Sequence, residues 1–193
     1  MITSTKEQLR SSYRARRMEF SPEEVESRSK AIADRVLDWL QSHPEINHLH
    51  LFFPIIRFNE INTFLLREEL DKIGKTLYTS RVNRSATELE TLKLPKEAEF
   101  FEDEWGIPVP QESIQVSSSK IQLVFVPLLA YDKNGNRVGF GKGYYDSFLG
   151  SMNQPVVKMG LSFFSPEDQI EAEPHDVSLD YCITPENVFT FSH

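Results

Sequence analysis

The sequence predicts an α/β protein of three layers, in which a mostly parallel β-sheet lies between helices on both faces. Two observations support this prediction. Short apolar runs alternate along the chain with segments of helical periodicity, which is the pattern of βαβ units. The run at residues 121–126 is rich in apolar and β-branched residues, as is typical of a strand whose two faces are both covered. The chain has no internal repeat or linker, so we expect a single domain over residues 1–193.

The first predicted element is a helix over residues 6–17. Lys6, Arg10 and Arg14 are four residues apart and therefore share one face of this helix. Like charges at that spacing destabilise an isolated helix. The basic face either meets an anionic ligand or is solvated beside nearby glutamates such as Glu7, and the residues alone leave both interpretations open.

The next elements follow from capping and turn signals. Residues 21–24, Ser-Pro-Glu-Glu, form a capping box with proline at the first helical position, and they predict a helix that ends at 43–44. A short buried strand is predicted at 49–53. It is followed by a helix through Leu70, with Gly74 as its C-terminal stop.

The remaining strands complete the sheet. They are predicted at residues 76–81, 88–94, 121–126 and 156–161, with a last strand that ends at Thr184. Residues 100–110 are predicted to be irregular. In an open sheet of parallel strands, ligands bind at the carboxyl ends of the strands, so we expect the site there.

Composition limits the classes of function. The 193 residues carry a net charge of −8, which argues against a protein that binds nucleic acid through its phosphates. Cys182 is the only cysteine, which excludes an intrachain disulfide and fits a reducing compartment. The N-terminus has no apolar signal core, and no apolar run approaches the roughly 18 residues of a membrane span. We expect a cytoplasmic monomer that binds neither nucleic acid nor membranes.

A glycine-rich loop follows the strand at 121–126. Four of the eight glycines of the chain lie between positions 135 and 143, together with Arg137 and Lys142, and a helix is predicted to start at Tyr144. Glycines leave backbone N–H groups free to face a ligand, and a helix N-terminus adds partial positive charge. This order of strand, loop and helix predicts an anion site, although a tight turn with solvated cations is the alternative.

The same segment resembles a known family. Residues 131–146 read Tyr-Asp-Lys-Asn-Gly-Asn-Arg-Val-Gly-Phe-Gly-Lys-Gly-Tyr-Tyr-Asp, which is similar to the signature of 5-formyltetrahydrofolate cyclo-ligases, also called methenyltetrahydrofolate synthetases. The resemblance extends from Lys6 to Asp180. It implies a fold like that of phosphosugar isomerases and CoA-transferases. It also implies ATP-dependent conversion of 5-formyltetrahydrofolate to 5,10-methenyltetrahydrofolate, with Mg²⁺ as cofactor and small molecules as the only partners.

The resemblance implies a role for individual residues. Arg137 and Lys142 are expected to act in catalysis. Folate is expected to contact Ile55, Glu60 and Trp105, and Mg²⁺ is expected at Asp146 and Asp180. The expected ATP-binding residues are Lys6, Glu7, Gln8, Leu9, Arg10, Arg137, Val138, Gly139, Phe140, Gly141, Lys142, Gly143, Tyr144 and Tyr145.

Two of these assignments have structural alternatives. Glu60 stands just before a predicted helix, where the helix dipole favours a carboxylate, but it can equally accept hydrogen bonds from a heterocycle. Trp105 either stacks on a ring of the substrate or is an ordinary buried aromatic residue. Many members of the family have Glu-Pro where this chain has Val109-Pro110, and Glu112 is the candidate substitute for that glutamate.

The family's reaction is compatible with this set of residues. Transfer of the γ-phosphoryl group to the formyl oxygen gives a phosphorylated imidate, and N10 of the folate then displaces phosphate. This chemistry needs positioning and charge neutralisation but no side-chain nucleophile. Two other classes compete: a phosphosugar isomerase or CoA-transferase-like enzyme, which needs a catalytic base that no motif supplies, and a folate or nucleotide binder without turnover.

Overall fold

The computed structural model describes residues 4–83, 85, 86 and 88–192. Its centre is an eight-stranded sheet with the strand order β12-β11-β10-β7-β1-β2-β3-β6. The strands of this sheet are β1 (His48–His50), β2 (Thr76–Asn83), β3 (Glu88–Lys93), β6 (Ile114–Gln115), β7 (Leu123–Pro127), β10 (Val157–Leu161), β11 (Tyr181–Ile183) and β12 (Val188–Thr190). Two small antiparallel pairs join β4 (Phe100–Glu102) to β5 (Pro108–Pro110) and β8 (Ala130–Tyr131) to β9 (Arg137–Val138).

The five central strands of the sheet are parallel. They are β11, β10, β7, β1 and β2, whereas β12, β3 and β6 are antiparallel strands at the two edges. The prediction of a mostly parallel sheet is therefore confirmed. Strands from both halves of the chain pair in this one sheet; the single domain over residues 1–193 stays a prediction.

Four α-helices surround the sheet: α1 (Lys6–Met18), α2 (Pro22–Gln41), α3 (Thr63–Lys72) and α4 (Tyr144–Gly150). The capping box predicted before α2 is present, because Ser21 Oγ accepts from the Glu24 N–H and the Glu24 carboxylate accepts from the Ser21 N–H. Thr5 and Gln8 form a second capping box at the start of α1. These boxes satisfy N–H groups that a helix leaves unpaired in its first turn.

The two faces of the sheet bury different helices. Successive side chains of a strand point to opposite faces. In β7, Leu123 and Phe125 join the core formed with α1, α2 and α3, whereas Val124 and Val126 join the core that contains Phe148 of α4. Helices thus cover both faces, and the predicted three-layer arrangement is confirmed.

The structure corrects three predicted boundaries. The strand at 49–53 ends at His50, because the chain leaves the ladder after the Leu51 N–H donates to Tyr78 O at 2.8 Å. The strand at 121–126 is shifted to end at Pro127. Residues 100–110 are not irregular: they form the β4–β5 hairpin, whose turn contains Gly106 at φ +77°.

These elements bring distant parts of the chain to one edge of the sheet. The segment after β1, the second half of β2 and the last residue of β7 all meet at the carboxyl ends of the parallel strands. The edge predicted to bind ligand is therefore the edge that carries a cavity. Within the residues described, no helix combines the length and the apolar character that crossing a membrane requires.

Candidate functional site

A cavity of about 500 Å³ opens at the carboxyl ends of β1, β2 and β7. One end is lined by charged residues of α1, of the glycine loop and of the loop before β11. The other end is lined by the segment after β1, by β2 and by the β4–β5 hairpin. An ionic end and a largely apolar end thus belong to one continuous cavity.

The glycine loop connects β9 to α4 and contacts the first helix. Arg10 Nε donates to the carbonyl oxygen of Gly139 at 3.2 Å. A Cβ atom on Gly141, which has φ +88°, would lie only 3.2 Å from Arg10 Nε. Gly141 therefore supplies both a left-handed backbone conformation and room for the arginine, so two motifs 129 residues apart form one surface.

The basic face of α1 is paired with acids. Lys6 Nζ lies 2.5 Å from Asp176 Oδ2 and 3.4 Å from Glu173 Oε2, and Arg10 Nη1 lies 3.0 Å from Glu7 Oε2. Lys6 and Arg10 line the cavity. Arg14, the third cation of this face, is instead over the ring of Phe140, with its guanidinium carbon 5.8 Å from the ring centroid. The repulsion expected from sequence spacing is offset by these partners in the folded protein.

Arg137 and Asp146 form the most buried ion pair of this end. Their side chains are 5% and 23% exposed, and Arg137 Nη2 lies 2.7 Å from Asp146 Oδ1. Arg137 also donates to the carbonyl oxygen of Val177, and the Val177 N–H donates to Asp146 Oδ1 at 3.1 Å. Asp176 is the residue before Val177, so its carboxylate and that of Asp146 line the same part of the cavity.

Asp176 is held in its ionised form. Partial burial raises the pKa of its carboxyl group. The Glu173 N–H and the Lys6 ammonium group together lower the pKa by more than burial raises it, so the pKa lies below its usual value. Glu173 and His175 stand beside it, with one ligand atom from each of the three residues within 4.8 Å of the other two. The sequence interpretation missed this cluster. The signal available was a group of acids and a histidine just before the last parallel strand.

The structure does not place Asp180 with Asp146 in the cavity. Asp180 lies at the amino end of β11, away from the carboxyl ends. Its Oδ2 accepts from the Lys158 N–H at 2.7 Å and lies 3.0 Å from Lys158 Nζ. The cavity is lined by Asp146 and Asp176 but not by Asp180. Lys6 Nζ and the Glu173 N–H hold the Asp176 carboxylate, whereas Lys158 holds that of Asp180. The predicted metal pair is therefore not brought together at the cavity.

Glu60 dominates the other end of the cavity. The residue is 6% exposed, and its Oε2 accepts from the Ile55 N–H at 2.8 Å. Burial raises the pKa of Glu60, while the Ile55 N–H and the charge of Arg17 act in the opposite direction. The N-cap of α3 is Asn62, whose side chain accepts from the Phe64 N–H. Glu60 therefore does not cap the helix and is left to line the cavity.

Ile55 and Trp105 line the same end as Glu60. The Trp105 carbonyl accepts from Arg57 Nη2 at 2.6 Å, which links the β4–β5 hairpin to the segment after β1. Val109 is buried and also lines the cavity, whereas Glu112 is exposed and does not. Glu112 is thus not placed to replace the glutamate that the family signature has near this point.

Most of the predicted ATP-binding residues line the cavity, and four do not. Those that do are Lys6, Arg10, Arg137, Gly139, Phe140, Gly141, Lys142, Gly143, Tyr144 and Tyr145. Leu9 and Val138 are buried in the core. Glu7 pairs with Arg10 and Gln8 belongs to the capping box, so these two side chains are engaged outside the cavity.

Comparisons with known proteins agree with the resemblance read from the glycine loop. A family model described as the 5-formyltetrahydrofolate cyclo-ligase family matches residues 2–185. A 5-formyltetrahydrofolate cyclo-ligase of Mycoplasma genitalium is 27% identical over 92% of this chain and 96% of its own length. The mouse protein of the same name is 26% identical over 93% of each chain.

Two solved structures share the fold. A 5,10-methenyltetrahydrofolate synthetase from Mycoplasma pneumoniae aligns with a TM-score of 0.76 and 27% identity, covering 94% of this chain and 99% of that one. The corresponding Aquifex aeolicus protein aligns with a TM-score of 0.78, also at 27% identity, over 97% of this chain and 93% of that one. The predicted α/β class is confirmed by these neighbours; the likeness to phosphosugar isomerases and CoA-transferases stays a prediction.

Proposed function

The chain belongs to the 5-formyltetrahydrofolate cyclo-ligase family, and we propose that its cavity binds both substrates of the ATP-dependent cyclisation of 5-formyltetrahydrofolate to 5,10-methenyltetrahydrofolate. ADP and phosphate are the other products. One observation carries the proposal: cations on the loop and helix at one end share a cavity with a buried carboxylate at the other. A triphosphate at the first end and a pterin at the second would place the phosphoryl group and the formyl group side by side.

In the proposed reaction, the formyl oxygen attacks the γ-phosphorus of ATP, and the phosphorus–oxygen bond to ADP breaks. N10 of the folate then attacks the formyl carbon of the resulting imidate, and phosphate leaves. Negative charge develops on the transferred group, and Arg137 and Lys142, which both line the cavity, would neutralise it. Loop N–H groups and the cations Lys6 and Arg10 would hold the remaining phosphates.

The carboxylates of the ionic end fit Mg²⁺. Asp146 and Asp176 supply oxygen ligands of the kind Mg²⁺ prefers, and both line the cavity where the triphosphate would lie. Each now neutralises a cation, Arg137 or Lys6, so binding of Mg-ATP would exchange these partners for metal and phosphate. Asp146 and Asp176 would hold the ion, which would supply positive charge to offset that of the phosphates. Asp176 takes the place that the sequence interpretation gave to Asp180.

The pterin is proposed to lie against Glu60. A pterin presents adjacent N–H donors, and an ionised carboxylate accepts hydrogen bonds from them with charge assistance. Ile55 and Trp105 contribute apolar surface to the same end, which suits a flat ring. We also propose that the protein acts in the cytoplasm as a monomer.

The test is a spectroscopic assay of the purified protein with 5-formyltetrahydrofolate, ATP and Mg²⁺. The expected result is the appearance of methenyltetrahydrofolate absorbance, with one ADP released per product. Omission of ATP is the matched control. Binding of both ligands without product would favour a binding protein, and isomerisation of a sugar phosphate without ATP would favour the isomerase class.

A further inference from the structure

Arg17 is a buried cation close to the folate end of the cavity. It lies in the last turn of α1, is 4% exposed and donates through Nη2 to the carbonyl oxygen of Leu128. Its Nε is buried and has no hydrogen-bond partner in the described part of the chain. A buried guanidinium group is costly unless an opposite charge compensates it, so the position calls for an anion nearby.

Glu60 supplies that anion. A small void separates the two side chains and is also lined by Leu128, Phe140 and Leu161. The void leaves no room for a water molecule, so the two charges interact through protein rather than solvent. Glu60 is the charge that favours the protonated form of Arg17, and Arg17 in turn favours the ionised form of Glu60.

The backbone holds these two residues in register. Asn59, the residue before Glu60, has φ +47°, and its Nδ2 donates to the carbonyl oxygens of Arg17 and Phe20, both at 3.0 Å. The end of α1 is thereby fixed to the segment that carries Glu60. Asn59 thus holds together the two backbone segments from which the Arg17 and Glu60 side chains extend.

The periodicity of α1 explains why one helix reaches both ends of the cavity. Leu9, Tyr13 and Arg17 are spaced four residues apart and form its buried face. Lys6 and Arg10 lie on the neighbouring face and line the ionic end. The first turns of α1 therefore serve the ionic end, and its last turn lies behind the folate end.

We propose that Arg17 is a positioning residue for the folate substrate: its buried charge lies across the small void from Glu60 and strengthens the hydrogen bonds that the Glu60 carboxylate accepts from the pterin ring. This inference rests on the proposed folate role of Glu60. A protonated carboxyl group would present an O–H donor toward the N–H donors of the ring and would lose charge assistance. Burial already raises the pKa of Glu60, and removal of Arg17 would raise it further.

The first experiment compares Arg17→Met with Arg17→Lys and with Arg16→Met as matched control. Arg16 occupies the same turn but is exposed, so its replacement changes the net charge equally. In Arg17→Met, we expect KM for 5-formyltetrahydrofolate at pH 7 to rise about tenfold, because Glu60 would accept hydrogen bonds from the pterin with less charge assistance, with KM for ATP little changed. Arg17→Lys should recover part of the loss, and Arg16→Met should behave as the wild type.

A pH profile separates this role from simple packing. In Arg17→Met, KM for the folate measured from pH 7 to 9 should fall as pH rises, because burial raises the pKa of Glu60 and the charge of Arg17 no longer lowers it. In the wild type, KM should stay nearly constant. The charged or titratable groups that line the folate end or lie behind it are Arg17, Arg57, Glu60, Arg81, Asp103, Tyr144 and Tyr145. From the ionic side, the charge of Arg14 acts on Arg17 and that of Arg137 acts on Tyr145. Burial and the charge of Glu60 raise the pKa of Tyr145, so its hydroxyl stays protonated over this range.

A double-mutant cycle with Glu60→Gln completes the test. The double variant Arg17→Met/Glu60→Gln should have the folate KM of Glu60→Gln alone, and it should melt at a higher temperature than either single variant because no unpaired buried charge remains. Additive losses in KM, or a folate KM in Arg17→Met equal to that of the wild type, would overturn the inference. If Arg17→Met fails to fold, the folate KM values of Arg17→Lys and of the double variant test the inference by the same criteria. A normal folate KM in Glu60→Gln would instead refute the proposed role of Glu60.

Discussion

The two ends of the cavity hold their charges in opposite ways. At the ionic end, Lys6 pairs with Asp176 and Arg137 with Asp146, so each ligand-binding group already has a partner of the opposite charge. At the folate end, Glu60 is almost fully buried, and the opposite charge that acts on it is that of Arg17, which lies across a small void and is also buried. The first end can bind ligand by exchange of ionic partners, whereas the second is formed before ligand arrives.

This difference follows from solvent exposure. The side chains of Lys6 and Asp176 are 15% and 17% exposed, so water can compensate them while partners are exchanged. Glu60, at 6% exposed, has no such compensation and must keep fixed partners. We therefore expect the ionic end to control the affinity for nucleotide and metal and the rate of turnover. The folate end should control the affinity for the folate.

The largest expected effect is that of metal removal. Chelation of divalent cations should abolish turnover, because Asp146 and Asp176 then hold no metal against the phosphates, and added Mg²⁺ should restore it. The thermal shift caused by 5-formyltetrahydrofolate alone should persist under chelation, since the folate end needs no metal. Unchanged turnover in the presence of chelator would refute the proposed role of Mg²⁺.

Replacement of Arg137 should be the most damaging single substitution at the ionic end. Arg137→Ala removes a charge from the phosphoryl-transfer region, and kcat should fall about 10²- to 10³-fold. The variant should also melt earlier, because Asp146 and the Val177 carbonyl lose their partner. Arg137→Lys keeps the charge but not the planar guanidinium group that donates two hydrogen bonds, so its kcat should lie between those of the wild type and Arg137→Ala. Lys133→Ala, at an exposed ion pair, is the control and should be nearly silent.

Glu60→Gln tests the folate end. Loss of a charge-assisted interaction of about 1.5–3 kcal/mol should weaken binding of 5-formyltetrahydrofolate about 10- to 150-fold. Affinity for ATP, measured by equilibrium titration, should remain close to normal, because the phosphates lie at the other end. Equal losses for both ligands would mean that the two ends are not independent and that Glu60 has a structural role.

Arg10→Ala should show the opposite selectivity. Its loss should weaken Mg-ATP binding by about tenfold or more and leave the folate affinity unchanged. The apo protein should melt slightly lower, since Arg10 donates to Gly139 O and pairs with Glu7. Thermal melts with and without Mg-ATP measure both quantities. A normal nucleotide shift in this variant would assign Arg10 to the scaffold alone.

The smallest effect on catalysis is expected for Asp180→Asn. The amide oxygen of the new side chain would still accept from the Lys158 N–H, and the ion pair with the Lys158 ammonium group would be lost. Stability should fall by about 1 kcal/mol or less, with the Mg²⁺ dependence of turnover unchanged. Asp176→Asn is the matched comparison and should raise the Mg²⁺ concentration needed for half-maximal rate. The reverse result would restore Asp180 as the metal ligand.

The sequence by itself determined the features that depend on neighbouring residues. Capping at Ser21, the apolar run of β7 and the glycines of the loop are local signals, because helix caps, strand faces and left-handed turns are decided within a few residues. The family was identified in the same way, since the signature from Tyr131 to Asp146 is continuous in sequence. Lys6, Arg10, Glu60 and Arg137 were singled out at this stage and line the cavity.

The tertiary structure alone decided which distant side chains share the site. Asp176 rather than Asp180 lines the cavity because Lys6 of α1 holds the carboxylate of Asp176 there, while Lys158 of β10 holds that of Asp180 at the amino end of β11. Arg17 follows Leu9 and Tyr13 at intervals of four, which is a local sign of one helix face, but only the packing against Leu128 and Asn59 shows that this arginine is buried near Glu60. Burial and electrostatic environment arise when separate elements are packed together, and no window of the sequence contains both sides of that contact.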